Sequence, residues 1–194
     1  MPHHSFILVV ILSIISLTGC GSHIDWKPDT QEIHSCVPDH PPTWEEFTKS
    51  YGNYTNSAQT AVAITLAQME PPIFQARFDS DRSWVQPHIV EAWHPYKKSI
   101  AQRLLRHEQL HFAISCLLVR QANMSIKPGD NPHQMLQFVR MTSKRLNQLY
   151  DQATNHGTIQ DKQEEWERDV EQQLEEVTRM RSHHSTRTAF DIQP

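Results

Sequence analysis

The sequence predicts an α+β domain in which a small antiparallel or mixed sheet precedes a helical part. Apolar residues alternate with other residues at 61–66 and 74–78, as in strands that turn alternate side chains toward a core. From about Tyr96 they recur every three to four residues instead, which is the period of an amphipathic helix. A length of 194 residues suits one such domain with extensions at its ends.

Composition and charge exclude several kinds of site. Lys and Arg total 18 against 22 Asp and Glu, so the formal net charge is −4. Proteins that bind nucleic acid usually carry a basic surplus, and we therefore expect no nucleic-acid partner. The 5 glycines are not spaced as a dinucleotide fingerprint or a Walker loop, so neither nucleotide-binding motif is present.

The N-terminal residues are predicted to be a targeting signal. Residues 6–17 form an apolar run of about 12 residues, which suits a signal-peptide core better than a membrane span. The run ends in Leu-Thr-Gly-Cys at 17–20, which resembles the lipobox of bacterial lipoproteins, where the cysteine is lipidated after cleavage. We expect residues 1–19 to be removed, Cys20 to carry acyl chains such as palmitate, and residues 20–42 to form a tether. An ordinary secretory signal is the alternative.

This signal places the chain in the bacterial cell envelope, facing the periplasm. Gly21 follows the cysteine, where Asp is the usual inner-membrane retention signal of enteric bacteria, so the outer membrane is favoured. Cys36 and Cys116 could pair in such an oxidising compartment and close a loop of about 80 residues. Two buried free thiols are the alternative, and the sequence leaves both open.

The folded domain is expected over residues 43–182. Thr43 and Glu46 have the spacing of a capping box, so a short helix is predicted to begin there. Two strands follow, each with three apolar side chains on one face, and residues 83–85 are a third candidate strand. The apolar side chains are Val62, Ile64 and Leu66 in the first strand and Phe74, Ala76 and Phe78 in the second.

Three helices are predicted after the strands. The first runs from about residue 96 to a turn-rich break at 127–132, the second fades at 150–151, and the third spans about 159–180. Residues 183–194 are expected to be a polar tail. The inward-facing residues are predicted to be Ile100, Leu104, His107, His111, Ile114 and Leu118 in the first helix, Met135, Phe138, Val139, Thr142, Leu146 and Leu149 in the second, and Trp166, Val170, Leu174 and Val177 in the third.

The first of these helices contains the sequence His107-Glu108-Gln109-Leu110-His111, a motif that predicts a metal site. Histidines four residues apart lie above one another on a helix, so both imidazoles can reach one ion, and Zn²⁺ accepts such ligands. Glu108 is expected to take the proton of the attacking water rather than to bind the metal. The alternative, a pair of core histidines, would leave these polar groups buried without a partner.

A catalytic zinc site on this motif needs a third protein ligand. Position 117 is Leu, which excludes a histidine six residues after His111. His156 is favoured because it follows a helix and precedes Gly157, and Asp151 is the alternative. Tyr150 is the candidate for stabilising an oxyanion with its phenol. All the candidate ligands after the motif are Asp130, His133, Asp151 and His156.

The motif and its surroundings resemble a bacterial family of uncharacterised secreted proteins that are predicted to be zinc-dependent peptidases of the zincin superfamily. The resemblance covers about residues 43–180 and implies a zincin-like fold. Members often have Gly where Leu110 stands, a position that does not bind the metal. The residues that carry the resemblance are 104–112, Phe78 with 83–85, and Tyr150, Asp151, Thr154, His156, Gly157, Gln160, Gln163 and Trp166.

The expected protein is therefore a lipid-anchored zinc metallopeptidase that acts on a peptide or protein substrate in the envelope. An edge strand often aligns the substrate in zincins, and residues 74–78 are the predicted candidate. Three alternatives stay open: a binding lipoprotein with a structural metal site, a scaffold in which the motif has decayed, and a hydrolase of another bond such as a peptidoglycan amide. The sequence does not determine the oligomeric state.

Overall fold

The computed structural model describes residues 35–50, 56–91 and 95–190. The predicted signal peptide, the lipidation site at Cys20 and most of the predicted tether lie outside the described residues. Over the described ranges, no helix combines the length and the apolar composition that a membrane crossing requires.

Among the described residues, short strands form two mixed sheets, where the sequence predicted one. The first sheet has the order β1-β5-β4, with β5 parallel to β1 and antiparallel to β4. The second has the order β2-β6-β3, with β6 parallel to β2 and antiparallel to β3. The strands are β1 (Cys36–Val37), β2 (Thr48–Lys49), β3 (Ala58–Gln59), β4 (Val62–Gln68), β5 (Ile73–Phe78) and β6 (Trp84–Val85). Because β1 belongs to the sheet, the described fold includes residues of the predicted tether.

The helices confirm the α+β class. A 3₁₀ turn covers Trp44–Glu46, and the Thr43 backbone N–H donates to the Glu46 carboxylate over 2.7 Å, as the capping box predicts. A four-residue helix that was not predicted, α1 (Pro87–Val90), comes first among the α-helices. The three long helices then follow in the predicted order, although the last one continues into the predicted polar tail. They are α2 (Pro95–Ser125), α3 (Pro132–Thr154) and α4 (Gln160–Phe190).

The core lies where α2 packs against β5. Leu117, Leu118 and Val119 are all at most 2% exposed, so α2 is buried around its circumference here and the predicted single stripe is too narrow. Asn123 fixes the end of α2 on the sheet. Its side chain accepts from the Phe74 backbone N–H over 2.7 Å and donates to the Phe74 carbonyl over 2.9 Å.

One predicted core residue of α3 is exposed. Phe138 is 37% exposed, whereas Leu136 and Val139 are buried. The buried face of α3 passes through positions 136, 139 and 146, and position 138 lies about 100° away from 139 around the helix axis. The sequence prediction was wrong at this position because apolar character alone does not orient a helix.

A disulfide joins the first strand to the motif helix. Cys36 of β1 and Cys116 of α2 are bonded, with Cα atoms 5.6 Å apart, within the usual range for disulfides. Both cysteines are buried. The bond therefore fixes β1 against the helix that carries residues 107–111.

Candidate metal centre

The two motif histidines direct their Nε2 atoms toward one point. His107 and His111 are one turn apart on α2, and their Nε2 atoms lie 3.2 Å from each other. The ring planes meet at 83°, so the nitrogens converge without the rings stacking on each other. His107 is only 2% exposed. Both rings therefore have the arrangement expected of ligands to a shared ion.

Helix α3 brings a carboxylate to the same point. Oδ1 of Asp151 lies 3.1 Å from Nε2 of His107 and 3.2 Å from Nε2 of His111. Over the described part of the chain, these residues form the group that could hold a metal ion, with ligand atoms all within 4.8 Å of one another. Asp151, the alternative in the sequence prediction, is therefore the third member of the group.

His156, the favoured third ligand in the sequence prediction, lies beside this group. Its Nδ1 atom is 3.3 Å from Oδ1 of Asp151, and its side chain is 60% exposed. The backbone turns left-handed as α3 ends, with φ of 45° at Asn155 and 53° at His156. In this position His156 contacts the same carboxylate oxygen as His107 and His111 do, and it can help to orient Asp151.

Gly157 makes the close approach of this turn to His107 possible. Its φ is +76°, and a Cβ atom built on it would lie 2.9 Å from Cγ of His107. Any residue with a side chain would be strained by the left-handed backbone and would also clash with the imidazole. Glycine is therefore the residue that fits here without rearrangement. The residue therefore helps to position a candidate ligand that lies 50 positions earlier in the chain.

Asn147 orients the His111 ring. Its amide nitrogen donates to the Ser143 carbonyl over 3.0 Å, so its Oδ1 atom faces Nδ1 of His111 at 2.7 Å. Nδ1–H of His111 therefore donates to Asn147, and the lone pair of a neutral ring lies on Nε2, toward Asp151 and His107. A hydrogen bond of this kind behind a histidine ligand is typical of metal sites.

Glu108 lies in the same cleft and keeps one oxygen unpaired. The residue is 4% exposed, and its Oε2 atom is buried without a hydrogen-bond partner among the described residues. The hydroxyl of Thr60 donates to the Glu108 backbone carbonyl over 3.2 Å and so holds this turn of α2 near β4. A buried carboxylate oxygen of this kind is costly unless water or a ligand meets it, and it can accept a proton.

Tyr150 does not have the position that the sequence predicted for an oxyanion donor. Its ring is fully buried and stacks on His107 with centroids 4.6 Å apart. The hydroxyl lies 3.5 Å from the His107 backbone carbonyl. Burial and the charges of Glu167 and Glu108 raise the pKa of Tyr150 far above its usual value. The phenol therefore acts as a packing surface behind His107, because it points at backbone rather than into the cleft.

The pKa shifts in the group follow from burial and mutual contact. Burial alone would lower the pKa of His111, but the hydrogen bond to Asp151 and the charge of Glu108 outweigh it and raise that pKa. Burial alone would raise the pKa of Asp151, but hydrogen bonds with His107 and His111 hold it well below its usual range. Asp151 is therefore an anion at neutral pH, which is the form that binds a cation.

The group opens into a cleft of about 920 Å³ between α2, α3 and β4. Strand β4 is an edge of its sheet, whereas β5 (Ile73–Phe78), the predicted substrate strand, is paired on both sides. The Ala61 carbonyl accepts from the Asp79 backbone N–H on the side of the chain that faces β5. Backbone groups of successive residues point to opposite sides of a strand, so the N–H and C=O groups of Val62 and Ile64 point away from β5. The edge strand that lines the cleft is therefore β4, and its Ile64 carbonyl accepts from Arg140 over 2.8 Å.

The spacing of the three ligand atoms allows them to share one metal ion. Bonds of about 2.0–2.1 Å in a tetrahedral shell separate neighbouring ligand atoms by about 3.3 Å. The observed separations are 3.2 Å between the two histidines and 3.1 and 3.2 Å between each histidine and Asp151. Two imidazoles and one carboxylate are a donor set that zinc and other divalent metals accept.

Sequence reasoning missed the roles of Asn147 and Gly157. A signal for the first was present, because Asn147 and Asp151 are four residues apart on the second predicted helix, as His107 and His111 are on the first. Two helices that each present two polar residues at this spacing can meet at one point. No local signal showed that Gly157 lies against His107, since that contact arises only when the α3–α4 connection packs on α2.

Comparison of the chain with models of protein families, with curated proteins and with solved structures finds no match.

Proposed function

We propose that the protein is a zinc-dependent hydrolase, and specifically a metallopeptidase. The observation that carries the proposal is the convergence of two Nε2 atoms and one carboxylate oxygen within 3.2 Å of one another, beside Glu108 with an unpaired buried oxygen. A purely structural site gains nothing from that carboxylate. A water-activating site needs it at this place.

The roles of the residues follow from their positions. His107, His111 and Asp151 would hold the metal, which when bound polarises a carbonyl oxygen and lowers the pKa of water. Glu108 would take the proton of the attacking water and later return it to the leaving amine. Asn147 would keep the His111 ring in the tautomer that has its lone pair on Nε2.

The edge of β4 suits a peptide substrate. Val62 and Ile64 line the cleft, and their backbone groups face away from β5; Arg140 already donates to the Ile64 carbonyl, so a peptide would pair beside that bond or displace it. An extended peptide that pairs with this edge would cross the cleft between β4 and the ligand group, with main-chain hydrogen bonds for affinity. The proposal of a zincin-like fold rests on this edge strand and on the motif helix beside it.

The cellular setting is also part of the proposal. The apolar run at 6–17 and the lipobox-like residues 17–20 support a lipoprotein of the bacterial envelope. The disulfide between Cys36 and Cys116 agrees with an oxidising compartment such as the periplasm. A peptide or protein of that compartment would be the substrate.

The first test measures bound metal and hydrolysis on the same full-length preparations. We expect about one zinc per chain, lost in His107→Ala and retained in His133→Ala, whose histidine is exposed at the start of α3. Glu108→Gln should keep the zinc but lower peptide hydrolysis by roughly 100-fold or more, because the proton acceptor is gone. Elemental analysis and a mixed-peptide digestion read by mass spectrometry supply the two readouts.

The outcomes separate the alternatives. If the wild type and His107→Ala bind zinc equally well, the proposed site is not where the zinc binds. Zinc bound as expected, but with no hydrolysis of any peptide in a broad mixture, would favour the binding lipoprotein or a different scissile bond. Hydrolysis that survives in Glu108→Gln would contradict the role given to that carboxylate.

A further inference from the structure

Lys and Arg residues outnumber Asp and Glu residues in the lining of the cleft, whereas the whole chain carries a negative net charge. Among the described residues that line the cleft, the acidic ones are Glu108 and Asp151, both at the ligand group. The Lys and Arg residues of the lining are Arg82, Arg140 and Lys144, although the chain has a formal net charge of −4. Away from Glu108 and Asp151 the charged residues of this described lining are all cations, and such a wall attracts ligands of negative charge.

Two of these cations lie on the α3 face that also carries Asp151. Lys144 is seven residues before Asp151 and Arg140 is eleven before it, which corresponds to about 10 and about 16 Å along a helix. The cations therefore extend from the ligand group along one wall. The cleft-lining residues of α3 are Arg140, Ser143, Lys144, Asn147, Gln148 and Asp151.

Arg140 is also bound to the opposite wall. Its Nε atom donates to the Ile64 carbonyl of β4 over 2.8 Å, on the edge where a peptide strand would pair. This bond places the guanidinium across the cleft, while its terminal nitrogens stay free to donate. Among the described residues, no carboxylate forms an ion pair with Arg140 or Lys144, whereas Arg82 lies 3.7 Å from Asp79.

These positions assign a chemical class to the substrate, and the inference rests on the function proposed above. An extended peptide advances about 3.3 Å per residue, so 10–16 Å corresponds to about three to five residues from the scissile bond. We propose that the cleft selects peptides with a carboxylate at that distance, bound by Lys144 and Arg140. The carboxylate can belong to an acidic side chain or to the C-terminus of a short peptide.

Binding to the full-length Glu108→Gln variant, loaded with zinc, tests this selection without turnover. The probes are fluorescein-labelled, amidated ten-residue peptides that differ only in Glu, Gln or Lys at the positions three to five residues from the centre. We expect the Glu peptide to bind roughly three- to tenfold more tightly than the Gln peptide, with the Lys peptide weakest. The difference should shrink as salt rises from 50 to 500 mM.

Charge reversal identifies the residue responsible. Lys144→Glu in the same background should remove the preference for Glu. The matched control is Arg145→Glu, which makes the same charge change at the neighbouring exposed position outside the cleft and should leave the preference intact. Thermal unfolding of both variants confirms that they are folded. A shortened Gln peptide can be made so that its free C-terminal carboxylate lies three to five residues from the centre. Its affinity shows whether a C-terminal carboxylate can replace the Glu side chain.

Each outcome decides one of the two proposals. Equal affinity for the Glu, Gln and Lys peptides, or no binding of any of them, would overturn the carboxylate selection. A Glu preference that Arg145→Glu removes as fully as Lys144→Glu would also overturn it, because it would reflect net charge alone. If the Glu peptide binds preferentially but the wild type cleaves none of the peptides, the selection stands and the hydrolase proposal fails. If the wild type cleaves all three equally well, the hydrolase stands and the selection fails.

Discussion

At the scale of single residues, the site converges on one oxygen atom. Oδ1 of Asp151 lies within 3.3 Å of ring nitrogens from His107, His111 and His156. The first two rings are buried or nearly so, and the third is exposed. The two buried imidazoles and the carboxylate could bind an ion directly, whereas the exposed ring would act on that ion through the carboxylate oxygen it contacts.

This difference predicts unequal effects of substitution. Asp151→Asn should weaken zinc binding by about 100-fold or more, since an anionic ligand is replaced by a neutral amide. His156→Ala should weaken it less, by about 10- to 100-fold, the range of a residue that only orients a ligand. Competition with a fluorescent zinc chelator measures both affinities, with Asp161→Asn as the control at an exposed position. A larger loss in His156→Ala than in Asp151→Asn would exchange their roles.

At the scale of elements, the connection between α3 and α4 helps to build the site. Thr154, fully buried near the end of α3, accepts from the Gly157 backbone N–H through its hydroxyl over 3.2 Å. The turn then passes so close to His107 that only a glycine fits. The geometry of the motif helix therefore depends on a loop that belongs to two other helices.

Substitution of two glycines distinguishes the cost of this contact from the cost of a left-handed backbone. Gly129 and Gly157 both have positive φ, but a Cβ atom at Gly129 would meet nothing within 4 Å. Gly129→Ala should lower the free energy of unfolding by about 1–2 kcal/mol through the left-handed backbone alone. Gly157→Ala should lower it by about 1–3 kcal/mol more, because His107 must move. Urea unfolding measures both values.

Zinc titration of the same variants shows whether the movement reaches the site. Gly157→Ala should weaken zinc binding, and Gly129→Ala should leave it unchanged. Equal behaviour of the two variants in both measurements would mean that the contact with His107 has no energetic role.

At the scale of the whole molecule, a covalent bond joins the first described strand to the central helix. The bond between Cys36 and Cys116 closes a sequence separation of 80 residues. Most of the strands of the two sheets lie inside that loop, as does the motif itself. Since the bond restricts the unfolded chain, its main effect should be on global stability rather than on the chemistry of the site.

Removal of the disulfide is therefore predicted to destabilise the whole domain. The Cys36→Ala/Cys116→Ala double variant should lose about 2–5 kcal/mol of unfolding free energy. Urea unfolding in the presence of a chelator measures this loss without a contribution from metal. The wild type treated with a reductant should lose a similar amount. Unchanged stability in both cases would contradict the structural role of the bond.

The sequence by itself determined the local features. Alternation at residues 61–66 and 74–78 predicted β4 and β5, the period of three to four predicted α2, α3 and α4, and the one-turn spacing of His107 and His111 placed both on one helix face. These features depend on residues close together in the chain, so short-range geometry suffices to predict them.

Tertiary structure alone decided how distant segments meet. It brought Asp151 rather than His156 into the group that could hold a metal ion, buried Tyr150 behind His107, and left β4 rather than β5 at the edge of the sheet. The orientation of the helices and the order of the strands follow from the packing of α3 on α2 and of β1 on β5. No local sequence pattern predicts that packing. The sequence therefore predicted which residue types were available for chemistry, and packing decided which of them face the cleft.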